Sequence, residues 1–252
     1  MSKNTELRRD EISKMIIAQG EVKTHELMVM FDVSNETIRK DLNYLDKMGI
    51  ATKTHGGAKV VNEYYHLPVD VKLQENLNAK KIIARKAIDY VNEGDMVYLD
   101  PGSTCIQIAR FLRIKKNITV VTNSINIASI VSESDNEVIM IGGNVQKRDK
   151  SCVGYFVKEV VNSIKIDIAF FGSDGFKGFN GPTTFSLSEA GVRDLVSKRS
   201  TKKILVCDKS KFDKSSTFLF GKFKDYDYII TDETDDDKLK MVKDVRHIIK
   251  VE

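Results

Sequence analysis

Five short stretches of this 252-residue chain carry groups that can hold an anion or a polyhydroxylated ligand. They are Asp100-Pro101-Gly102-Ser103-Thr104, Thr122-Asn123-Ser124, Gly142-Gly143-Asn144, Gly172-Ser173-Asp174-Gly175 and Asp208-Lys209-Ser210-Lys211. Glycine lets backbone amides approach an anion, hydroxyls add donors, and a helix starting there adds its dipole. Lys211 supplies a full positive charge, while Asp100, Asp174 and Glu189 are acceptors suited to sugar hydroxyls. Taken singly, Gly-Ser-Thr before a helix is an ordinary turn and cap, and so is each Asp at a strand end. Together they mean more, because each follows an apolar run that reads as a strand.

A second set lies near the N-terminus, in Val33–Ile50, VSNETIRKDLNYLDKMGI. Ile38, Leu42 and Leu45 form one helical stripe. Around that stripe Glu36, Lys40, Asn43 and Tyr44 point away from a core, with Thr37 and Arg39 at the flanks. Ser34 is placed to cap the helix, whose first amides and dipole would favour a phosphate. Lys53 and Lys59 follow on a hairpin and can neutralise further phosphates. The alternative is the polar side of any amphipathic helix.

The elements that must position these groups fall into two blocks. In residues 1–61, Leu7, Ile12, Met15 and Ile16 mark a first helix closed by Gly20. Thr24 is the expected N-cap of a short second helix with Leu27 and Met28 turned inward. The third helix ends near Gly49, and His55-Gly56-Gly57 turns between two short strands. This is the plan of a small α(+β) winged helix-turn-helix domain, in which the third helix enters the major groove. Residues 62–78, polar and irregular around Tyr64-Tyr65-His66-Leu67-Pro68, read as a linker. In residues 79–252, apolar runs at 96–100, 118–122, 137–141, 167–172, 203–208, 228–232 and 247–251 alternate with helical stretches such as 80–91, 104–112, 156–164, 188–200 and 235–243. That alternation predicts a larger α/β domain with a mainly parallel sheet covered on both faces, and such sheets take ligands at their carboxyl edge.

Composition sets the outer limits. Hydrophobic residues make up 41% and charged residues 30%, the balance of an ordinary globular protein. A net charge of +4 permits an anionic partner without proving one, and Asp32, Glu36, Asp41 and Asp46 dilute the basic residues of the first block. No apolar run is long enough to span a membrane, and the first residues lack the apolar stretch of a secretory signal. Cys105, Cys152 and Cys207 are odd in number and far apart, which fits a reducing cytoplasm rather than a disulfide framework. With four histidines and no paired Cys/His spacing, no metal is expected.

Val33-Ser34-Asn35-Glu36-Thr37-Ile38-Arg39-Lys40-Asp41-Leu42, followed by His55-Gly56-Gly57-Ala58, resembles the DNA-binding signature of the DeoR family of bacterial regulators. That signature reads V-S-x-x-T-I-R-R-D-L and then H-G-G-A. Lys40 departs from it, standing where a second arginine is usual; lysine meets phosphate but lacks the planar fork. The resemblance implies a DNA-contacting set of Ser34, Asn35, Thr37, Arg39, Lys40, Tyr44, Lys53, His55 and Gly56, with base readout on Arg39 and Thr37 and backbone contact on Lys40. From Lys80 to about Glu233 the chain is similar to the sensor domain of the same family, at Asp100-x-Gly102-Ser103-Thr104, Thr122-Asn123-Ser124, Gly142-Gly143, Asp167–Gly175 and Asp208-x-Ser210-Lys211. Sensors of that family are similar in fold to ribose-5-phosphate isomerase and commonly bind phosphorylated sugars. By that analogy Gly102, Ser103, Thr104 and Ser124 hold a phosphate, Asp100, Asp174, Glu189 and Lys211 meet the sugar, and Thr122, Asn123, Gly142 and Gly143 complete the loops.

The resemblance therefore implies a cytoplasmic repressor of a carbohydrate-utilisation operon. It would act as a dimer or tetramer on double-stranded operator DNA, take a sugar phosphate as effector, use no cofactor and meet no membrane. The rival is a sugar-phosphate isomerase with an accessory DNA-binding domain. Isomerisation needs a base against a carbon-bound proton. The isomerases carry further acidic residues just after the segment resembling Gly172–Asp174, where this chain has Gly175-Phe176-Lys177. Binding groups are kept there, and catalytic ones are not.

Overall fold

The computed structural model describes residues 3–60 and 69–252, which fall into two compact units with a boundary at Leu67–Pro68. In the first unit, α1 (Lys3–Gln19) closes at Gly20 and turns Ile12 and Ile16 into the core. Leu7, expected inside, is 57% exposed, because at about 100° per residue it falls on the opposite side of the helix from Ile12 and Ile16. β1 (Glu21–Lys23) follows, too short for its alternation to stand out in the sequence. α2 (Thr24–Phe31) begins one residue earlier than expected: Lys23 holds the N-cap position, and the Thr24 amide donates to the carbonyl of Gly56 at 2.8 Å. α3 (Asn35–Lys47) is capped by the Ser34 hydroxyl, which accepts from the Thr37 amide. It buries Ile38, Leu42 and Leu45 as the spacing requires. β2 (Ala51–Thr54) and β3 (Gly57–Val60) form the hairpin, and β3 runs between β1 and β2 in an antiparallel sheet.

Asp41 corrects the charge reading. It is buried, and it accepts from Arg8 Nε at 2.6 Å and Arg9 Nε at 2.7 Å. It is an internal counter-ion that ties α1 to α3, not a surface charge that dilutes the basic face.

The second unit opens with α4 (Val69–Lys72) and α5 (Leu77–Ala87), so residues 69–78 are not the irregular stretch expected of a linker. The expected linker residues 62–68 lie outside the described residues. Then come β4 (Met96–Leu99), α6 (Ser103–Leu112), β5 (Thr119–Thr122), α7 (Ile125–Val131) and β6 (Glu137–Met140). A hairpin of β7 (Asn144–Gln146) and β8 (Ser151–Val153) leads into α8 (Tyr155–Ser163) and β9 (Ile166–Phe171). The chain ends with β10 (Thr183–Thr184), α9 (Leu187–Arg199), β11 (Ser200–Val206), β12 (Phe218–Leu219), β13 (Tyr228–Thr231), α10 (Asp236–Leu239) and β14 (His247–Lys250).

The seven apolar runs read as strands make one sheet of order β14-β13-β11-β9-β4-β5-β6, parallel throughout. Alternate residues fill opposite faces, as the pleat demands. Tyr98, Ala169, Phe171 and Leu205 enter one core with α8 and α9. Val97, Leu99, Phe170 and Ile204 enter the other with α5 and α6. From β4 the chain winds outward through β5 and β6, then returns to β9 on the other side of β4 and winds the opposite way. The carboxyl ends of β4 and β9 therefore flank the crevice where open parallel sheets take ligands. Asp100 leaves β4 and Ser173-Asp174 leave β9 at that point, and the Asp100 amide is bonded to the carbonyl of Phe170. The β7–β8 hairpin and the β10/β12 pair were not legible in the sequence; both lie over this edge.

Candidate functional site

In the first unit, Asn35 and Arg39 lie one turn apart on α3 and face the hairpin across an open concavity of about 420 Å³. Lys53, His55 and Gly56 line its other side, together with Thr24 and Gly57, which are not in the expected DNA-contacting set. Arg39 is exposed and has no carboxylate partner among the described residues. Lys53 is steadied by a 2.7 Å bond to Asn43 Oδ1, so hairpin and helix present their cations as one surface. The other expected residues are placed differently. Ser34 and Thr37 share a 3.0 Å hydroxyl contact at the cap. Lys40 leans on Glu36 at 3.4 Å, and the ring of Tyr44 lies under the Arg9 guanidinium at 4.1 Å.

In the second unit, the crevice between β4 and β9 holds a network of buried charge. Asp100 accepts from Arg193 Nε at 2.8 Å and from the Gly172 amide at 3.2 Å. Arg193 also reaches Glu189 Oε2 at 3.1 Å, one helical turn back on α9. Thr184 donates to the same Glu189 oxygen at 2.8 Å. Lys72 of α4 pairs with Asp174 at 2.6 Å. Asn76 donates to Asp208 Oδ1 at 3.0 Å, and Lys80 caps the carbonyls of Lys72 and Glu75.

Burial and neighbours set the protonation of these groups. Burial pushes the Asp100 carboxyl above its ordinary range, against the downward pull of the Arg193 guanidinium. Burial drives Asp149 up to about 8, and Glu189, to which it is hydrogen-bonded, adds to the rise. Glu189 itself is lowered: burial opposes, but Arg193 and the bond from Asp149 win. The two carboxyls thus share one proton, which sits on Asp149. Burial alone would lower Lys211, yet Asp208 and Asp174 hold it above its ordinary value. Burial brings Lys80 down to about 8 against the pull of Asp208.

A pH-dependence follows from the shared proton. A carboxyl whose folded pKa is raised contributes stability that is complete below about pH 4 and is lost as pH rises through its folded value. For Asp149 that value is about 8. Asp149→Asn keeps a donor toward Glu189 but does not titrate. The melting temperature of D149N is expected to fall less than that of the wild type between pH 5 and pH 8. Equal slopes would place the proton elsewhere.

Of the expected ligand residues, Asp100, Asp174, Glu189 and Lys211 are brought together with this network. Gly102 begins α6 with no side-chain cap, which leaves the first-turn amides beside Ser103 and Thr104 without a side-chain acceptor. The side chains of Thr122 and Asn123 are bonded to the frame. Thr122 donates to the Leu99 carbonyl; Asn123 accepts from the Tyr98 hydroxyl and donates to the Cys152 carbonyl. Ser124 caps α7. Gly142 is exposed, and Gly143 is required by the hairpin, since a Cβ there would lie 2.7 Å from the Val153 carbonyl oxygen. Sequence reasoning missed Lys72, Lys80, Asp149, Thr184 and Arg193. Arg193 alone carried a signal, its four-residue spacing from Glu189 on a helix.

Comparison with known proteins agrees with both halves. Residues 8–64 match the model of the DeoR-like helix-turn-helix domain, and residues 75–233 match that of the DeoR C terminal sensor domain. A lactose phosphotransferase system repressor of Streptococcus mutans is 32% identical over 249 residues, spanning 97% of this chain and 98% of that protein. The glycerol-3-phosphate regulon repressor of Escherichia coli is 28% identical over 226 residues, spanning 89% of this chain and 90% of that protein. Among solved structures, a ribose-5-phosphate isomerase in complex with phospho-erythronic acid is 18% identical over 52% of each chain, with a TM-score of 0.40. Full-length SorC from Klebsiella pneumoniae is 12% identical over 96% of this chain and all of that one, with a TM-score of 0.41. With its reading head and its sensor each matched in place, and relatives aligned along nearly all of its length, the chain belongs to the DeoR family of DNA-binding transcriptional regulators.

Proposed function

We propose that this regulator represses a carbohydrate-utilisation operon and is released from its operator by a phosphorylated sugar. The observation that carries the proposal is the meeting of Asp100, Asp174, Glu189, Arg193 and Lys211 with the uncapped start of α6 at the switch crevice. The amides of Ser103 and Thr104 suit a phosphate, and the carboxylates and Lys211 suit hydroxyls and anionic oxygens of a sugar. Two relatives, by name a lactose phosphotransferase system repressor and a glycerol-3-phosphate regulon repressor, support a phosphorylated carbohydrate as the effector class. The reader is the first compact unit and the sensor is the second, which opens with α4 at Val69. The working form is a homo-oligomer, dimer or tetramer, because two half-sites need two recognition helices at fixed spacing.

The sensor binds its ligand without turning it over. Where isomerisation would need a base, Phe176 is fully buried and packs edge-on against Phe212 and Phe223. Incubation with sugar phosphates is expected to give binding and no isomerised product; turnover would restore the enzymatic reading.

The DNA assignment is tested by anisotropy on duplexes from the region upstream of the gene. Arg39→Ala is expected to weaken specific binding by about 1–3 kcal/mol and to relax base preference. Lys53→Ala is expected to weaken all sequences alike and to lower the salt slope by about 1. A sequence-selective loss in K53A, or full affinity in R39A, would reverse these roles.

A further inference from the structure

The crevice mixes cations and carboxylates: Lys72, Lys80, Arg193 and Lys211 lie among Asp100, Asp174, Glu189, Asp208 and Glu75. An incoming phosphate therefore competes with carboxylates for a cation. Two of the four cations are firmly fixed. Arg193 is bound to two buried carboxylates at once. Lys80, 1% exposed, is tied to two backbone carbonyls. Lys211, in the field of Asp208, Asp174 and Glu75, is already assigned to the effector and lies on the loop after β11. The Lys72–Asp174 pair is the most open of the sensor's crevice ion pairs, with side chains 16% and 12% exposed against 8% or less for the Arg193 pairs. It is also the pair that is cheapest to exchange, since water and a second anion can reach both partners.

Lys72 lies on a strap. The Val69 amide donates to the Arg148 carbonyl at 3.1 Å, and Asp70 pairs with Lys150 at 2.8 Å, both across to the β7–β8 turn. Lys72 fastens the strap to the loop after β9, and Asn76 fastens it to the loop after β11. The strap thus touches three loops of the sheet's carboxyl edge. In sequence it follows the DNA-reading unit with only residues 61–68 between.

We propose that Lys72 is an effector-binding residue, and that its transfer from Asp174 to the anion of the effector moves the 69–80 strap and so carries the sensor's state into the chain that leads to the DNA reader. The proposal rests on the sugar-phosphate reading of the site and adds to it the residue that couples binding to response. Reciprocity then requires that operator DNA and effector each alter the other's affinity through the strap.

The test compares the full-length wild type, K72M and K72R. The probes are hexose 6-phosphates, pentose 5-phosphates, glycerol 3-phosphate and inorganic phosphate. Melting temperature reports binding, and deuterium exchange of residues 69–80 reports the strap. In the wild type, a probe that raises the melting temperature is expected to change exchange across 69–80. In K72M its affinity is expected to fall at least about tenfold, as for loss of a charged hydrogen bond, and 69–80 no longer responds; K72R keeps both effects. Asp174→Asn is a second variant, expected to speed exchange of 69–80 with no anion present. Binding that leaves 69–80 unchanged, equal affinity in K72M, or unaltered exchange in D174N would overturn the role given to Lys72 and its strap while leaving the effector reading intact. If no probe raises the melting temperature, the sugar-phosphate reading falls and the role of Lys72 falls with it.

Discussion

Arg193→Met is expected to destabilise the protein more than any other single change at the sensor crevice, by about 3–5 kcal/mol, the usual result of removing one partner from a buried ion pair. The guanidinium is 8% exposed and satisfies Asp100, itself 1% exposed, and Glu189 together. Methionine fills much of the volume but leaves both carboxylates in a site from which water is excluded. Asp100, already pushed upward by burial, would then take up a proton. Spread over a sensor of this size, the loss amounts to roughly 10 °C in melting temperature. The double variant R193M/D100N removes the stranded charge together with its partner, and it is expected to recover part of that loss. Calorimetry of the three proteins at pH 7 decides the matter. A single variant melting within 2 °C of the wild type, on the order of 1 kcal/mol or less, would show that Arg193 is an ornament of the crevice and not its keystone.

Arg193 also marks where the sequence stops being informative. The parallel sheet was legible because each of its seven strands is a continuous apolar run, and a strand buried on both faces has no other way to look. The strand-end loops followed from the strands, so Asp100 and Asp174 could be named without knowing the strand order. Arg193 and Lys72 could not. Each is a basic residue in a helix, identical in one dimension to any solvated lysine or arginine, and only the crossover that sets β9 beside β4 brings Asp100 and Asp174 to them. Thr122 and Asn123 have structural partners that the sequence does not show. Their type and place at a strand end fit a ligand, and the hairpin of residues 144–153, too short to read from its pattern, also bonds Asn123. Asp41 is the misread charge of the first unit: helical periodicity turns it inward, where Arg8 and Arg9 pair with it.

Gly57→Ala is expected to collapse the DNA-reading unit while sparing the sensor. The paired glycines of His55-Gly56-Gly57-Ala58 read as a turn at the wing tip, but the two have different tasks. Gly56 adopts φ +101 with open space around it, so alanine there costs only local backbone strain. Gly57 sits in the middle strand of the sheet, opposite Lys23 on one side and Thr54 on the other. A Cβ at 57 would lie 2.0 Å from the Val22 carbonyl oxygen and 3.1 Å from Lys23 Cα. Both contacts are backbone, so no rotamer relieves them, and β1 must separate from β3. With it goes the Thr24–Gly56 bond that fixes the start of α2, the helix packed behind α3. Overpacking of this kind costs about 1–3 kcal/mol where a core can yield, and a unit of this size has few residues over which to absorb it. In G57A, exchange across α1 to β3 is expected to rise and operator binding to disappear, while exchange in the parallel sheet stays as in the wild type. G56A is expected to keep most of its affinity. If G57A bound operator as tightly as G56A, the short strand β1 would not be what holds the wing against the recognition helix.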